Sequence, residues 1–155
     1  MPRRDAPKFV KKTVIELPCL CANVRRAARA ITQFYDDALR PSGLRTTQFT
    51  LLQTLNLAPG ITQKRLARLL EFDSTTLTRA LAHLRRRGWL RSEAGVDRRE
   101  LRLSLTGAGL EEYKRVEPYW KMAQRHLRKE LGDVNWKRIG SVAMRVAEIA
   151  PSRED

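Results

Sequence analysis

Cysteine is scarce in this 155-residue sequence, which has only Cys19 and Cys21. Two thiols so close in sequence cannot cross-link distant parts of a fold, so a secreted, disulfide-stabilised protein is not expected. The sequence also lacks any run of about 18 apolar residues, and residues 1–12 are basic without the apolar segment of a signal peptide. We therefore expect a cytoplasmic protein, with no part in the membrane, that is stabilised by packing.

Motifs for catalysis are also lacking. The sequence has no Gly-rich phosphate loop, no acidic pair near a histidine and no nucleophile motif. His83 and His126 lie far apart in sequence, so that with the two thiols they do not form a metal-binding pattern. We expect no enzymatic activity, no cofactor and no metal.

Acidic residues are outnumbered, with 17 Asp and Glu against 31 Lys and Arg, a formal net charge of +14. The excess is concentrated: residues 1–15 have five basic residues and one acidic, and residues 61–106 have eleven basic and five acidic. Charge placed in this way favours a polyanion partner, because cations along phosphates release condensed counterions. A generally basic, solvated surface is the alternative on charge alone.

Residues 16–44 have the spacing of a long amphipathic helix. Apolar side chains recur every three or four residues from Leu17, Pro18 suits a first turn, and Pro41 with Gly43 ends the pattern. The apolar positions are Leu20, Cys21, Val24, Ala28, Ile31, Tyr35 and Leu39.

A second helix is expected directly after this one. Thr46 or Thr47 is suited to cap it, and residues 58–60, which include a proline and a glycine, end it. One of its faces holds Phe49, Leu52 and Leu55.

Two short helices separated by a tight turn come next. Thr62 can cap the first, residues 71–72 form the turn, and Asp73 or Ser74 caps a second helix that Gly88 stops. The first is expected to bury Leu66, Leu69 and Leu70. This order of elements is a helix-turn-helix.

The second of these helices has two unlike faces. Its apolar stripe consists of Leu77, Leu81 and Leu84. The opposite side presents Thr75, Thr78, Arg79, Ala82 and Arg86. Short hydroxyl side chains and an arginine suit a major groove, where Arg79 can form a bidentate contact to guanine O6 and N7. An ordinary solvated helix face is the alternative. The DNA-contact candidates in this region are Lys64, Ser74, Thr75, Thr76, Thr78, Arg79 and Arg86.

A β-hairpin is predicted after the helix-turn-helix. Leu101, Leu103 and Leu105 alternate with polar residues, which is a period of two, and Trp89 and Leu90 begin the preceding strand. The tip, residues 93–99, includes a turn-forming glycine and the adjacent arginines Arg98 and Arg99. An arginine on an exposed hairpin can enter a narrow minor groove, so the hairpin is interpreted as a wing.

These residues resemble the MarR family of winged-helix regulators. The matching segments are Thr62–Ala67, Ser74–Arg79, Leu84, Gly88, Asp97–Arg99, Leu103, Leu105, Thr106 and Gly109. The resemblance extends over about residues 16–150. It implies a dimer whose two recognition helices bind a pseudo-palindrome, with Asp97 and Arg99 organising the wing and an arginine reaching the minor groove.

Two more amphipathic helices follow the hairpin. Thr106 or Gly107 opens the first, Pro118 is expected to kink or interrupt it, and Asp133 is expected to cap the second, which ends at Pro151. Their apolar positions are Leu110, Tyr113, Val116, Trp120, Ala123, Leu127 and Leu131 in the first, and Ile139, Val142, Val146 and Ile149 in the second. One small winged helix cannot cover all these faces, so we expect the terminal helices to interdigitate with a second copy. Packing on their own chain alone is the alternative.

Two further groups have open interpretations. In this family an inducer pocket would lie between the dimer helices and the winged helix, near Phe34, Tyr35 or Trp120, whereas simple core packing is the alternative for these aromatic residues. Cys19 and Cys21 are either small buried residues near the dimer seam or a thiol switch at a helix N-terminus, where thiol pKa is lowered. Within a helix, two cysteines one residue apart rarely bond to each other, so an oxidised link would join subunits.

The sequence thus predicts a mainly α fold with a small β-hairpin wing, a winged helix-turn-helix flanked by dimerisation helices. Its expected divisions are a basic arm at 1–15, a dimerisation helix at 16–44, a DNA-binding domain at 45–106 and C-terminal dimerisation helices at 107–150. The predicted function is that of a sequence-specific regulator of transcription, acting as a homodimeric repressor on double-stranded DNA and answering to a small molecule or to oxidation. The alternative is a sequence-independent architectural DNA-binding protein whose basic arm supplies most of its affinity for DNA.

Overall fold

The chain folds into helices around a small sheet, and its computed structural model describes residues 13–95 and 100–149. The described elements are α1 (Leu20–Leu39), a short 3-10 helix (Arg40–Ser42), α2 (Thr46–Leu57), β1 (Ile61–Thr62), α3 (Gln63–Leu70), α4 (Ser74–Arg86), β2 (Leu90–Ala94), β3 (Leu101–Leu105), α5 (Gly107–Leu131) and α6 (Asp133–Ile149). The mainly α fold with a small β wing is confirmed. No helix among these residues is both long enough and apolar enough to cross a membrane.

Helix α1 begins later than the sequence predicted. Cys19 precedes it in an extended conformation, so Leu17 and Pro18 lie outside the helix. Its C-terminal part is buried in the fold, whereas Leu20, near its start, is 75% exposed. The buried residues of α1 therefore lie in its last two turns.

The junction between α1 and α2 differs from the predicted threonine cap. Arg45 occupies the N-cap position of α2, and the backbone N–H of Thr46 donates to Asp36 Oδ1 of α1 at 2.7 Å. The side-chain oxygen of Gln48 accepts from the Arg45 N–H at 2.9 Å. The threonine prediction was wrong because the capping oxygen comes from the preceding helix, which a local pattern does not show.

The sheet has three strands in the order β1, β3, β2, all antiparallel. The predicted hairpin is present, with Leu90 paired with Leu105 and Ala94 paired with Leu101. Strand β1 was missed because two residues directly before a helix show no periodicity. It pairs Ile61 with Leu103, so that β3 becomes the central strand.

The main core lies between α2, α3, α4, the sheet and the first half of α5. Its fully buried large side chains include Leu39, Phe49, Leu51, Leu52, Leu55, Leu66, Leu77, Leu81, Leu84, Leu103 and Val116. Leu69, which was predicted to be buried, is 61% exposed. Leu66 and Leu70 are one helical turn apart and face the core, and the chain turns away at Glu71 with a φ of 51°, so Leu69 projects outward.

The two C-terminal helices also depart from prediction at two points. Helix α5 continues through Pro118, so the expected interruption is absent, and the missing N–H of the proline costs the helix one backbone hydrogen bond. Asp133 is the first residue of α6, not a cap outside it, and its carboxylate pairs with Arg128 at 2.6 Å. No described residue of α6 is buried.

Candidate nucleic-acid interface

Helices α3 and α4 form the predicted helix-turn-helix, fixed by two side-chain caps. Thr62 Oγ1 accepts from the Arg65 N–H at 3.2 Å at the start of α3. At the start of α4, Asp73 Oδ1 accepts from the Thr76 N–H at 2.8 Å, and Asp73 Oδ2 accepts from the Thr76 hydroxyl at 2.6 Å. Between them, Glu71 in the left-handed region turns the chain. The caps and the turn fix the direction of α4.

The two faces of α4 are as predicted, except at Ala82. Leu77, Leu81 and Leu84 are fully buried and hold the helix to the core. The predicted contact residues Lys64, Ser74, Thr75, Thr76, Thr78, Arg79 and Arg86 are all exposed. Ala82, which was placed with them, is half-buried. Among the predicted contact residues, Thr76 already has a partner within the protein, because its hydroxyl donates to Asp73 and contributes to the cap of α4.

The ionisation states of Asp73 and His83, at the start and near the end of α4, follow from their surroundings. The hydrogen bonds from Thr76 hold the pKa of Asp73 below its usual range, so this carboxylate is ionised at neutral pH. Burial, with Arg86 and Arg87 nearby, lowers the pKa of His83, which is therefore neutral there. The exposed face of α4 thus has its positive charge on arginines.

The arginines at the end of α4 have different surroundings. Arg85 donates to Ser92 Oγ of β2 at 3.2 Å, and the Arg87 guanidinium lies 4.9 Å from the ring centroid of Trp89. Both therefore tie α4 to the hairpin. Arg86, between them, is exposed on the face that includes Arg79. It is the member of this run that is best placed for a ligand outside the protein.

The hairpin is attached firmly to α4 and α5. The Thr106 hydroxyl donates to the Gly88 carbonyl at 2.6 Å and accepts from the Gly109 N–H at 3.0 Å, while the Thr106 N–H donates to the Trp89 carbonyl at 3.0 Å. One threonine therefore joins the end of α4 to the start of α5. The hairpin between these points keeps a fixed direction relative to α4.

The tip of the hairpin holds several predicted residues. The base of the tip closes where the Gly95 N–H donates to the Glu100 carbonyl at 2.7 Å. Asp97, Arg98 and Arg99 lie outside the described residues, so their roles stay predictions.

A groove that the sequence did not reveal lies between the start of α2 and α4. It has a volume of about 410 Å³ and is lined by Arg45, Thr47, Gln48, Thr76, Arg79, Ala80 and His83. Arg45 and Thr47 were not among the predicted contact residues. No local motif marks them, because only the packing of α2 beside α4 places them near Arg79.

The predicted aromatic residues lie in a second, smaller core. Phe34 and Tyr35 are buried with their ring centroids 5.6 Å apart, and they pack with Ala38, Ala123 and Leu127. Trp120 borders both cores and lies 5.9 Å from Phe49, centroid to centroid. Burial raises the pKa of Tyr35 to about 12, so its hydroxyl stays neutral at physiological pH.

The two thiols lie at the start of α1. Cys19 is its N-cap residue and Cys21 lies in its first turn, and both are exposed on the single chain. Neither is therefore buried by this chain itself. Within the described ranges, no group of three or more His, Cys, Asp or Glu side chains is arranged to hold a metal ion.

Known proteins match this chain in sequence and in fold. The model of the MarR family matches residues 42–100. The HTH-type transcriptional regulator YwoH of Bacillus subtilis is 29% identical over 97 residues, which are 63% of this chain and 71% of YwoH. The M. tuberculosis transcriptional regulator MosR, solved in complex with DNA, is 38% identical, with 85% of this chain and 96% of MosR covered and a TM-score of 0.75.

A more distant structure shares the fold. PcaV of Streptomyces coelicolor, solved with its natural ligand, is 21% identical, with 90% of this chain and all of PcaV covered and a TM-score of 0.76. The order of the helices, the presence of the wing and the matches to known proteins all indicate the same family. The chain belongs to the MarR family of winged-helix transcriptional regulators.

Proposed function

We propose that this protein binds a pseudo-palindromic operator as a homodimer and represses transcription there, with its DNA affinity changed by a small ligand or by thiol oxidation. The observation that supports this most directly is the exposed face of α4. It combines Thr75, Thr78, Arg79 and Arg86 on a helix whose other side is locked into the core.

This face has the chemistry of direct base recognition. Threonine methyl groups contact thymine methyls, hydroxyl groups reach phosphates, and Arg79 can bind guanine O6 and N7 together. Helix α4 has 13 residues, about 20 Å by the usual rise, which is enough to lie along a stretch of the major groove. MosR, in complex with DNA, supports a DNA partner for this chain as well.

The homodimer is supported by apolar faces that the single chain leaves uncovered. The exposed large apolar residues of α1 and α6 are Leu20, Val24, Ile31, Val134, Ile139, Val142, Met144, Val146 and Ile149. They lie at both chain ends, far along the sequence from α4. A second copy of the same chain would bury them, because two identical amphipathic surfaces complement each other around a two-fold axis.

Regulation would act through the region that joins these helices to the winged helix. Phe34, Tyr35 and Trp120 lie where α1 and α5 pack together, and a ligand inserted there would move α5 and with it Thr106. PcaV, solved with its natural ligand, supports a small-molecule effector. The exposed Cys19 and Cys21 support oxidation as a second input, through a bond between subunits.

The test is selection of bound duplexes from random DNA, followed by affinity measurements at one stated salt concentration. We expect a palindrome with half-sites about 10 bp apart, or a multiple of this, bound about 10³-fold more tightly than random duplex. A reporter placed behind the selected site should be repressed by the protein. Equal affinity for the palindrome and for random duplex would instead indicate the architectural protein.

A further inference from the structure

We propose that the groove between α2 and α4 binds a phosphate of the DNA backbone, with Arg45 and Thr47 as ligands beside the base-reading Arg79. The proposal rests on the proposed function, since it assumes that α4 enters a duplex groove. It adds the start of α2 to a contact surface that the sequence had limited to α3, α4 and the wing.

The position of the groove on α4 is the first argument. Thr76, Arg79, Ala80 and His83 follow one another at spacings of three, one and three residues, so they form one edge of the helix. Arg79 belongs both to this edge and to the exposed face. A helix in the major groove has a phosphate strand along each of its edges, so in the proposed complex the strand on this side would run past the start of α2.

The chemistry of the groove is the second argument. Its lining has two guanidinium groups, Arg45 and Arg79, with the hydroxyl of Thr47 and the amide of Gln48, and it has no carboxylate. The nearest acidic partner of Arg45 is Asp36, at 3.9 Å and outside the lining. The Arg45 side chain stays 81% exposed. Arginine, hydroxyl and amide groups are those that bind DNA phosphates.

The backbone at Arg45 is held in place by hydrogen bonds, which is the third argument. The Arg45 N–H donates to Gln48 Oε1, and the next N–H, that of Thr46, donates to Asp36 Oδ1. The backbone under the guanidinium is therefore fixed to both α1 and α2, while the end of the side chain is exposed. A phosphate contact made from a fixed backbone would set how α4 sits in its groove.

The experiment compares the salt dependence of DNA binding for Arg45→Gln and the wild type, on both the selected palindrome and random duplex. Each lost phosphate contact lowers the magnitude of the negative slope of log affinity against log salt by ~0.9, so the magnitude for the dimer should fall by about two. The affinity should fall by the same factor on both duplexes. Arg45→Lys keeps the charge and should restore the slope.

Arg125→Gln is the matched control. Arg125 is also exposed and also lines a groove, of about 420 Å³, but this groove lies at the end of α5. The salt-dependence slope of Arg125→Gln should equal that of the wild type. Thermal melting of every variant should confirm that it is folded. An unchanged slope for folded Arg45→Gln, or a loss confined to the palindrome, would overturn the phosphate contact. If the wild type had no preference for any palindrome, the proposed function would fail, while the slope on random duplex would still decide the role of Arg45.

Discussion

The backbone of Gly109 packs directly against the carbonyl group of Trp89. A Cβ built on residue 109 would lie 2.2 Å from the Trp89 oxygen and 3.0 Å from its carbonyl carbon. Only a residue without a side chain lets α5 approach the start of the hairpin this closely. Thr106 spans the same place with its hydrogen bond to Gly88, so this is where the winged helix joins the long helix α5.

Replacement of Gly109 by Ala should therefore destabilise the protein. The clash is with backbone atoms, which cannot move to another rotamer, so overpacking should lower the free energy of unfolding by about 1–3 kcal/mol in urea denaturation. Gly107→Ala is the control, because nothing lies within 4 Å of a Cβ at that position. There the better helix former should leave stability unchanged or raise it by up to ~1 kcal/mol. Equal stability of the two variants would contradict the close packing.

The Asp73 cap should make stability depend on pH in acid. Its pKa is lowered in the folded state, so its contribution is complete above the unfolded value of about 4 and is lost as the pH falls through the folded value. Asp73→Ala should lower the urea midpoint at pH 7, and the difference from the wild type should shrink below about pH 4.

Thr62→Ala provides the comparison, since it removes the cap of α3 but not a titrating group. The destabilisation caused by Thr62→Ala should be the same at pH 7 and below about pH 4. If the effect of Asp73→Ala were equally constant, the carboxylate would not be the group that stabilises α4.

A charge on the uncovered face of α6 should prevent dimerisation. Val142 is 56% exposed on the single chain and lies in line with Ile139 and Val146. Val142→Glu would bury an unpaired carboxylate in a dimer, so light scattering after size exclusion should show a monomer at micromolar concentration. Lys137→Glu, on the opposite side of α6, should leave the oligomeric state unchanged. A wild-type monomer would contradict the homodimer itself.

Arg79 and Lys64 should respond differently to truncation. Arg79→Ala should cost ~1–3 kcal/mol in binding to the selected operator and relax the preference at one base pair. Lys64→Ala, in the first turn of α3, should weaken all sequences alike, as the loss of a phosphate contact does. Competition binding with single-base operator variants measures both effects. If both variants lost as much affinity for random DNA as for the operator, direct readout by Arg79 would be excluded.

Oxidation should link two subunits through the thiols at the start of α1. After treatment with peroxide, non-reducing electrophoresis of the wild type should show a covalent dimer, and affinity for the operator should change. The double variant Cys19→Ser and Cys21→Ser should show neither effect. An oxidised wild type that migrates as a single chain and binds DNA with unchanged affinity would remove the thiol switch.

Most helices of this protein could be predicted from local sequence, because their apolar spacing and many of their end signals lie within a few residues of one another. The stripe of Leu77, Leu81 and Leu84, the Asp73 cap and the stop at Gly88 define α4 within 16 residues. The alternation around Leu103 defines the hairpin in the same way. The exposed polar face of α4 follows from this, since burying one stripe of a helix exposes the other.

Relations between segments distant in sequence were decided by the tertiary structure alone. The cap that Asp36 gives to α2, the pairing of β1 with β3 and the groove from Arg45 to Arg79 each join residues from two separate elements. The exposure of Leu69 also depends on where its neighbours turn. Periodicity describes one helix or strand against an unspecified core, whereas these contacts depend on the angle and distance at which two elements pack, which no single segment encodes.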